Sequence, residues 1–204
     1  MNRNLMLALA CAVAVVAVVV PTASAAATTE CNTVYANTTL KGGVVVNPGD
    51  FCALINVTVN GGLTVNGGFL YVAGSTIHGG WSMTGDVLPL YYFCGNNVDG
   101  GLNVNGVNTF GSPLSFGEAN AGCAGGTING GATLTNNTSA GSELDGYTVN
   151  GGVTFSNDTG FNELEATNVH GSASCDVASN VQNDNSGPGN NANSYTGTNT
   201  GCPA

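Results

Sequence analysis

Glycine pairs recur along this chain in a rhythm that leaves few folds open to it. Their leading residues are Gly42, Gly61, Gly79, Gly100, Gly130 and Gly151, followed by the single Gly171, at steps of 19, 18, 21, 30, 21 and 20 residues. A unit of roughly 20 residues cannot bury an apolar face alone, but stacked units can, so a repeat of this length predicts a solenoid.

Aligned on those anchors, the chain resolves into columns. Two residues before each anchor stand Leu40, Val59, Ile77, Val98, Ile128, Val149 and Val169, all aliphatic. Two after stand Val44, Leu63, Trp81, Leu102, Ala132, Val153 and Ala173, and four after stand Val46, Val65, Met83, Val104, Leu134, Phe155 and Cys175. Seven before stand Tyr35, Leu54, Val72, Phe93, Cys123, Leu144 and Leu164. Polar residues mostly fill the positions between, and such alternation means short strands with one face inward. Asn37, Asn56, Gly74, Gly95, Gly125, Gly146 and Ala166, five before the anchors, supply corners. The prediction is an all-β, single-chain parallel β-helix of about seven coils. A sandwich or barrel would need no glycine pairs in register. The long step after Gly100 reads as a loop inserted over Asn108 to Ala121.

The ends of the chain differ from its middle. Arg3, the uncharged apolar run Leu5 to Val20, Pro21 and Ala23-Ser24-Ala25 read as a signal peptide over 1–25, cleaved after Ala25. Cys11 falls inside that apolar run, too early for a lipidation site. The solenoid is expected over 26–177, with an Asn/Gly/Ser/Thr-rich cap over 178–204. No second apolar stretch is long enough to span a membrane, so no membrane insertion is expected after processing. Past residue 25, Lys41 is the only Lys or Arg, against twelve Asp and Glu. That acidic balance excludes nucleic acid and anionic lipid as partners.

Six cysteines follow the leader: Cys31, Cys52, Cys94, Cys123, Cys175 and Cys202. An even number behind an export signal reads as disulfides, and the absence of close pairs argues against zinc. Neighbours on successive coils predict the pairs 31–52, 94–123 and 175–202, with the last closing the cap.

The chain resembles a group of exported actinobacterial repeat proteins of unknown function. The residues that carry the resemblance are Thr148-Val149-Asn150-Gly151-Gly152-Val153-Thr154, Asn168-Val169-His170-Gly171 and the Cys175–Cys202 tail. It implies a right-handed β-helix and export, and brings no catalytic residue with it.

Three outward features could carry chemistry. Glu143 and Glu163, eight before their anchors, and Asp145 and Glu165, six before, form a two-by-two carboxylate patch on one outer face. Stacking holds like charges ~5 Å apart, which a solvated face tolerates and a bound Ca²⁺ would relieve. Tyr71 and Tyr92 fall in the same eight-before column, where aromatic rings can stack on sugar or on each other. Trp81 falls in an inward column and belongs to the core. The third feature is a Thr/Asn row three before the anchors, from Thr39 to Asn168, beside Lys41, Asn60, His78, Asp99, Asn129, Asn150 and His170 one before. A flat Thr array suits ice binding, but the mixed second row counts against it. His78 and Asp99 can meet across one coil step as a surface hydrogen bond, and no nucleophile accompanies them.

The expected function is a secreted, non-catalytic structural or adhesive protein of the cell exterior, acting through self-association or contact with envelope glycan. The alternative is a carbohydrate-active enzyme on the Tyr71/Tyr92–Glu143/Glu163 face. A groove or a flat wall between Tyr92 and Glu143 discriminates the two.

Overall fold

A computed structural model describes residues 26–90, 93–118, 121–183 and 192–204. The expected signal peptide and Tyr92 lie outside the described residues. Every strand pairing between named strands is parallel, and the strands stack as a β-solenoid of about seven turns.

Each coil contributes to three walls. The first wall is an eight-stranded sheet of two-residue strands from Thr39–Leu40 to Ser194–Tyr195. The second follows the glycine corner and runs from Thr29–Glu30 through Val44–Val46 to Asn199–Thr200. The third begins with Val34–Ala36, Phe51–Ile55 and Gly68–Ala73. The long strand Trp81–Pro89 bends out of the second wall to join it, pairing Val87 with Gly68 and Leu88 with Phe69.

The registers reproduce the predicted columns. Leu40, Val59, Ile77, Val98, Ile128, Val149 and Val169 lie directly over one another. So do Val44, Leu63, Trp81, Leu102, Ala132, Val153 and Ala173. Together with the third wall they form one buried core. Each fully buried aliphatic side chain removes apolar surface worth roughly 1.5–3 kcal/mol from water.

Two kinds of corner turn the coil, for different physical reasons. Five before the anchors, Asn37, Asn56 and Ala166 have φ of 49°, 53° and 49°, the left-handed region that Asn tolerates best among residues with a Cβ. The glycine pairs need closeness instead. A Cβ on Gly100 would sit 2.7 Å from Gly80 N, and one on Gly151 2.7 Å from Gly130 C. Backbone stacks on backbone at this corner, and no side chain fits between.

The insertion after Gly100 is not a loop throughout. Pro113–Phe116 within it is a strand, and it opens the four-stranded sheet that continues the third wall through Gly141–Asp145, Asn162–Glu165 and Val181–Gln182. Phe116 pairs with Leu144 and bridges to Phe93, so Phe116 holds the core position expected for Cys123. Cys123 instead pairs with Cys94 as a disulfide. Trp81, 1 % exposed, closes the core here edge-on to Phe93 and Phe116, at centroid distances of 5.2 and 5.4 Å.

Within the expected cap, the described residues continue the stack. Val181–Gln182, Ser194–Tyr195 and Asn199–Thr200 extend all three walls, and Gly197 N–H donates to Gly171 O as Gly61, Gly79, Gly100, Gly130 and Gly151 do to the anchor one coil before. The predicted disulfides form: Cys31–Cys52, Cys94–Cys123 and Cys175–Cys202, with Cα–Cα distances of 5.3, 5.0 and 4.9 Å.

Candidate functional site

The outer faces of the three walls differ, and the difference follows from single columns. On the first wall the outward row is Thr39, Thr58, Thr76, Asn97, Thr127, Thr148, Asn168 and Ser194. On the second it runs Val45, Thr64, Ser82, Asn103, Thr133, Thr154, Ser174 and Thr200, polar in all but one coil. The third wall is apolar in the early coils and carries carboxylates in the later ones.

In the early coils the inward residues Cys52, Leu54, Leu70 and Val72 are 0 % exposed, which sends their strand neighbours outward. Phe51 pairs with Phe69, and Val34 with Ala53 and in turn Tyr71. Val34, Phe51, Ala53, Ile55, Tyr71 and Leu90 line a groove of about 520 Å³. Leu90 donates its N–H to Leu70 O, which sets it beside Tyr71. Among the described residues, the only polar side-chain group in this lining is the Tyr71 hydroxyl. Tyr71 therefore belongs to an apolar groove, and the groove includes neither Glu143 nor Glu163.

The four carboxylates stack as their spacing predicts, Glu143 on Glu163 and Asp145 on Glu165. Their setting differs from the expected outer, solvated face. Asp145, Glu163 and Glu165 are only 6, 8 and 2 % exposed, and Glu143 is half-buried. The Ser115 hydroxyl donates to Glu143 Oε2, so the inserted strand adds a polar residue to the same ladder. Among the described residues, no group of three or more His, Cys, Asp or Glu is arranged to hold a metal ion.

The row one before the anchors is a hydrogen-bonded chain. His78 Nδ1 meets Asp99 Oδ2 at 2.5 Å, and Asn129 Nδ2 donates to Asp99 Oδ1 at 3.0 Å. Asn150 Nδ2 donates to Asn129 Oδ1, and His170 Nδ1 meets Asn150 Oδ1. The bond to His78, then that from Asn129, holds the Asp99 carboxyl below the usual carboxylate range. These groups spend their hydrogen bonds on each other along an exposed edge. No nucleophile joins His78 and Asp99 in these contacts.

Two buried polar columns are absent from the sequence reading. Four before the anchors, Ser75, Asn96, Thr167 and Asn193 turn into the corner and bond the backbone of the adjoining coil. Asn96 Oδ1 accepts from Ser75 N–H while its Nδ2 donates to Val72 O, and Asn193 does the same for Thr167 N–H and Leu164 O. Tyr147 fills the same column, donates to Phe93 O, and has its phenol pushed up by burial. The column was legible in principle, since Thr38, Ser75, Asn96 and Thr167 share one offset.

The second column is Asn137, Asp158 and Ser179. Asn137 Oδ1 accepts from Val107 N–H, Asp158 Oδ1 from Asn137 N–H, and Ser179 Oγ from Asp158 N–H. Asp158 is 2 % exposed, and its Oδ2 has no hydrogen-bond partner among the described residues. Burial is the main cause pushing its carboxyl up to about 6, opposed by the bonds from Asn137 and aided by nearby Asp176. Asp176 is pulled down to about 2, chiefly by its hydrogen bonds with Ser179.

The geometry defines a disulfide-bonded parallel β-solenoid with one apolar-grooved wall. Comparison with protein families, curated proteins and solved structures finds no match. The three disulfides suit an oxidising, extracellular compartment. Among the described residues no helix is long and apolar enough to cross a membrane.

Proposed function

We propose that this protein is a secreted, non-catalytic structural or adhesive β-solenoid of the cell exterior, working through the outer side of its third wall. The carrying observation is the groove lined by Val34, Phe51, Ala53, Ile55, Tyr71 and Leu90. An enzyme acting on glycans needs two carboxylates flanking a bond in a cleft. This groove presents none, and the stacked pair Glu143–Glu163 belongs to later coils. An apolar trough on a rigid, disulfide-pinned rod suits holding rather than turnover. The leader-like residues 1–25, the three disulfides and the resemblance to exported repeat proteins all favour the cell exterior.

The test uses the mature chain from Ala26 on, incubated with isolated envelope polysaccharide. Retention on that material without release of reducing ends is the expected result for an adhesive role. No retention narrows the role to a structural one. Release of reducing ends that depends on Glu143 or Glu163 would overturn the reading in favour of the enzyme.

A further inference from the structure

Resting on that reading, we propose that the partner of the apolar wall is a second copy of this chain, docked face to face on the early coils.

The wall is apolar where its counterparts are polar. Val34, Phe51, Phe69 and Leu90 are 52, 42, 40 and 38 % exposed. Their rows interlock through pairing of Phe51 with Phe69, Phe69 with Leu88, and Val34 with Ala53. The result is a cluster of exposed apolar side chains on one wall, the kind of surface that marks an interaction site. Threonine, serine and asparagine hold most of the equivalent outward positions on the other two walls. The solenoid can thus carry polar outer columns, and the apolar one belongs to this wall's early coils.

Charge selects the partner. Of the twelve acidic residues only Glu30, Asp50 and Asp86 precede residue 99, and they share those coils with Lys41. The other nine follow. A cationic partner would seek the later coils. A second copy offers matching apolar chemistry and meets little repulsion there. An antiparallel, two-fold arrangement overlaps only the early coils and sends the two acidic ends in opposite directions.

Shape permits the same pairing. Phe69 stands outside the groove lining but in register with Phe51, which is inside it. Phe69 is 40 % exposed beside the groove, and a two-fold axis can set each Phe69 against the other copy's groove. Four partly exposed side chains are a small contact beside the ~800 Å² per partner of a standard interface, so the dimer is expected to be weak, with a Kd of roughly 1–100 µM.

Analytical ultracentrifugation of the mature, disulfide-intact chain from 1 to 200 µM (concentrations on the order of the expected Kd and either side of it) tests this. The expected result is a monomer–dimer equilibrium that Phe69→Lys and Leu90→Glu each weaken at least tenfold, while Thr133→Lys on the second wall leaves it unchanged. Melting curves check that each variant folds, and Phe69→Ser replaces either charged variant if that one does not. A wild-type chain that stays monomeric throughout overturns the proposal. So does a dimer that folded wall variants leave intact. Envelope retention, measured separately on the same samples, keeps the two readings apart. A monomer that still binds envelope sinks the dimer alone, and a dimer that releases reducing ends sinks only the non-catalytic reading.

Discussion

Asp158 is an acid in a column built for amides and hydroxyls, and replacing it with Asn should stabilise the protein in a pH-dependent way. Its Oδ1 accepts from Asn137 N–H at 2.7 Å, a bond that the amide oxygen of the substituted side chain would keep. Asn137, one coil earlier, donates Nδ2 to Val104 O. Because Val104 pairs with Leu134, the Leu134 carbonyl stands in the corresponding place for residue 158. An amide or a protonated carboxyl can donate in that direction; a carboxylate cannot. With its carboxyl raised from 3.8 to about 6, folded Asp158 holds its proton where the unfolded chain has lost it. Stability from this group is therefore complete below about pH 3.8 and is lost as pH rises through about 6. Full conversion of that shift is about 3 kcal/mol. The neighbouring Asn157 is exposed, so solvent screens part of it and about 1–2 kcal/mol remains. Urea unfolding of the disulfide-intact chain at about pH 4, 6 and 8 measures it. Asp158→Asn should match wild type at about pH 4 and exceed it by about 1–2 kcal/mol at about pH 8. A difference that does not change with pH, or a variant less stable at the alkaline end, would refute the reasoning.

Two further perturbations test the corners and the core. Gly151→Ala places a Cβ 2.7 Å from the Gly130 backbone, which cannot yield without shifting a coil. It should cost about 1–3 kcal/mol, and a melting temperature equal to wild type would show that the glycine corner is looser than drawn. Phe116→Ala empties the core beside Trp81 and Phe93 and should cost about 3–5 kcal/mol in urea unfolding. A loss below about 1 kcal/mol would mean that the inserted segment is the surface loop its length suggested.

The aliphatic columns were readable because a parallel stack repeats one inward position in every coil. Val59, Ile77 and Val98 need no knowledge of distant contacts to be aligned. The segment after Gly100 resisted for the same reason. It carries about ten more residues than its neighbours, and counting back from Gly130 lands on Cys123, whereas the chain places Phe116 in the core. Only the pairing with Leu144 decides between them. At the far end, composition hides the repeat. Asn, Gly, Ser and Thr dominate residues 178–204, yet Gly197 is an anchor like the others and Tyr195 continues the aliphatic column.

The sequence by itself determined the coil, its inward columns outside the inserted segment and the three cysteine pairs, since these follow from periodicity along one chain. Tertiary structure decided what the outward columns face. Spacing alone put Glu163 and Glu165 outside, but both are buried, and it put Tyr71 on an exposed face where an apolar groove holds it. Alternation says which side of a strand a residue points to. Whether that side meets water depends on what packs against it in three dimensions, and no local pattern encodes that.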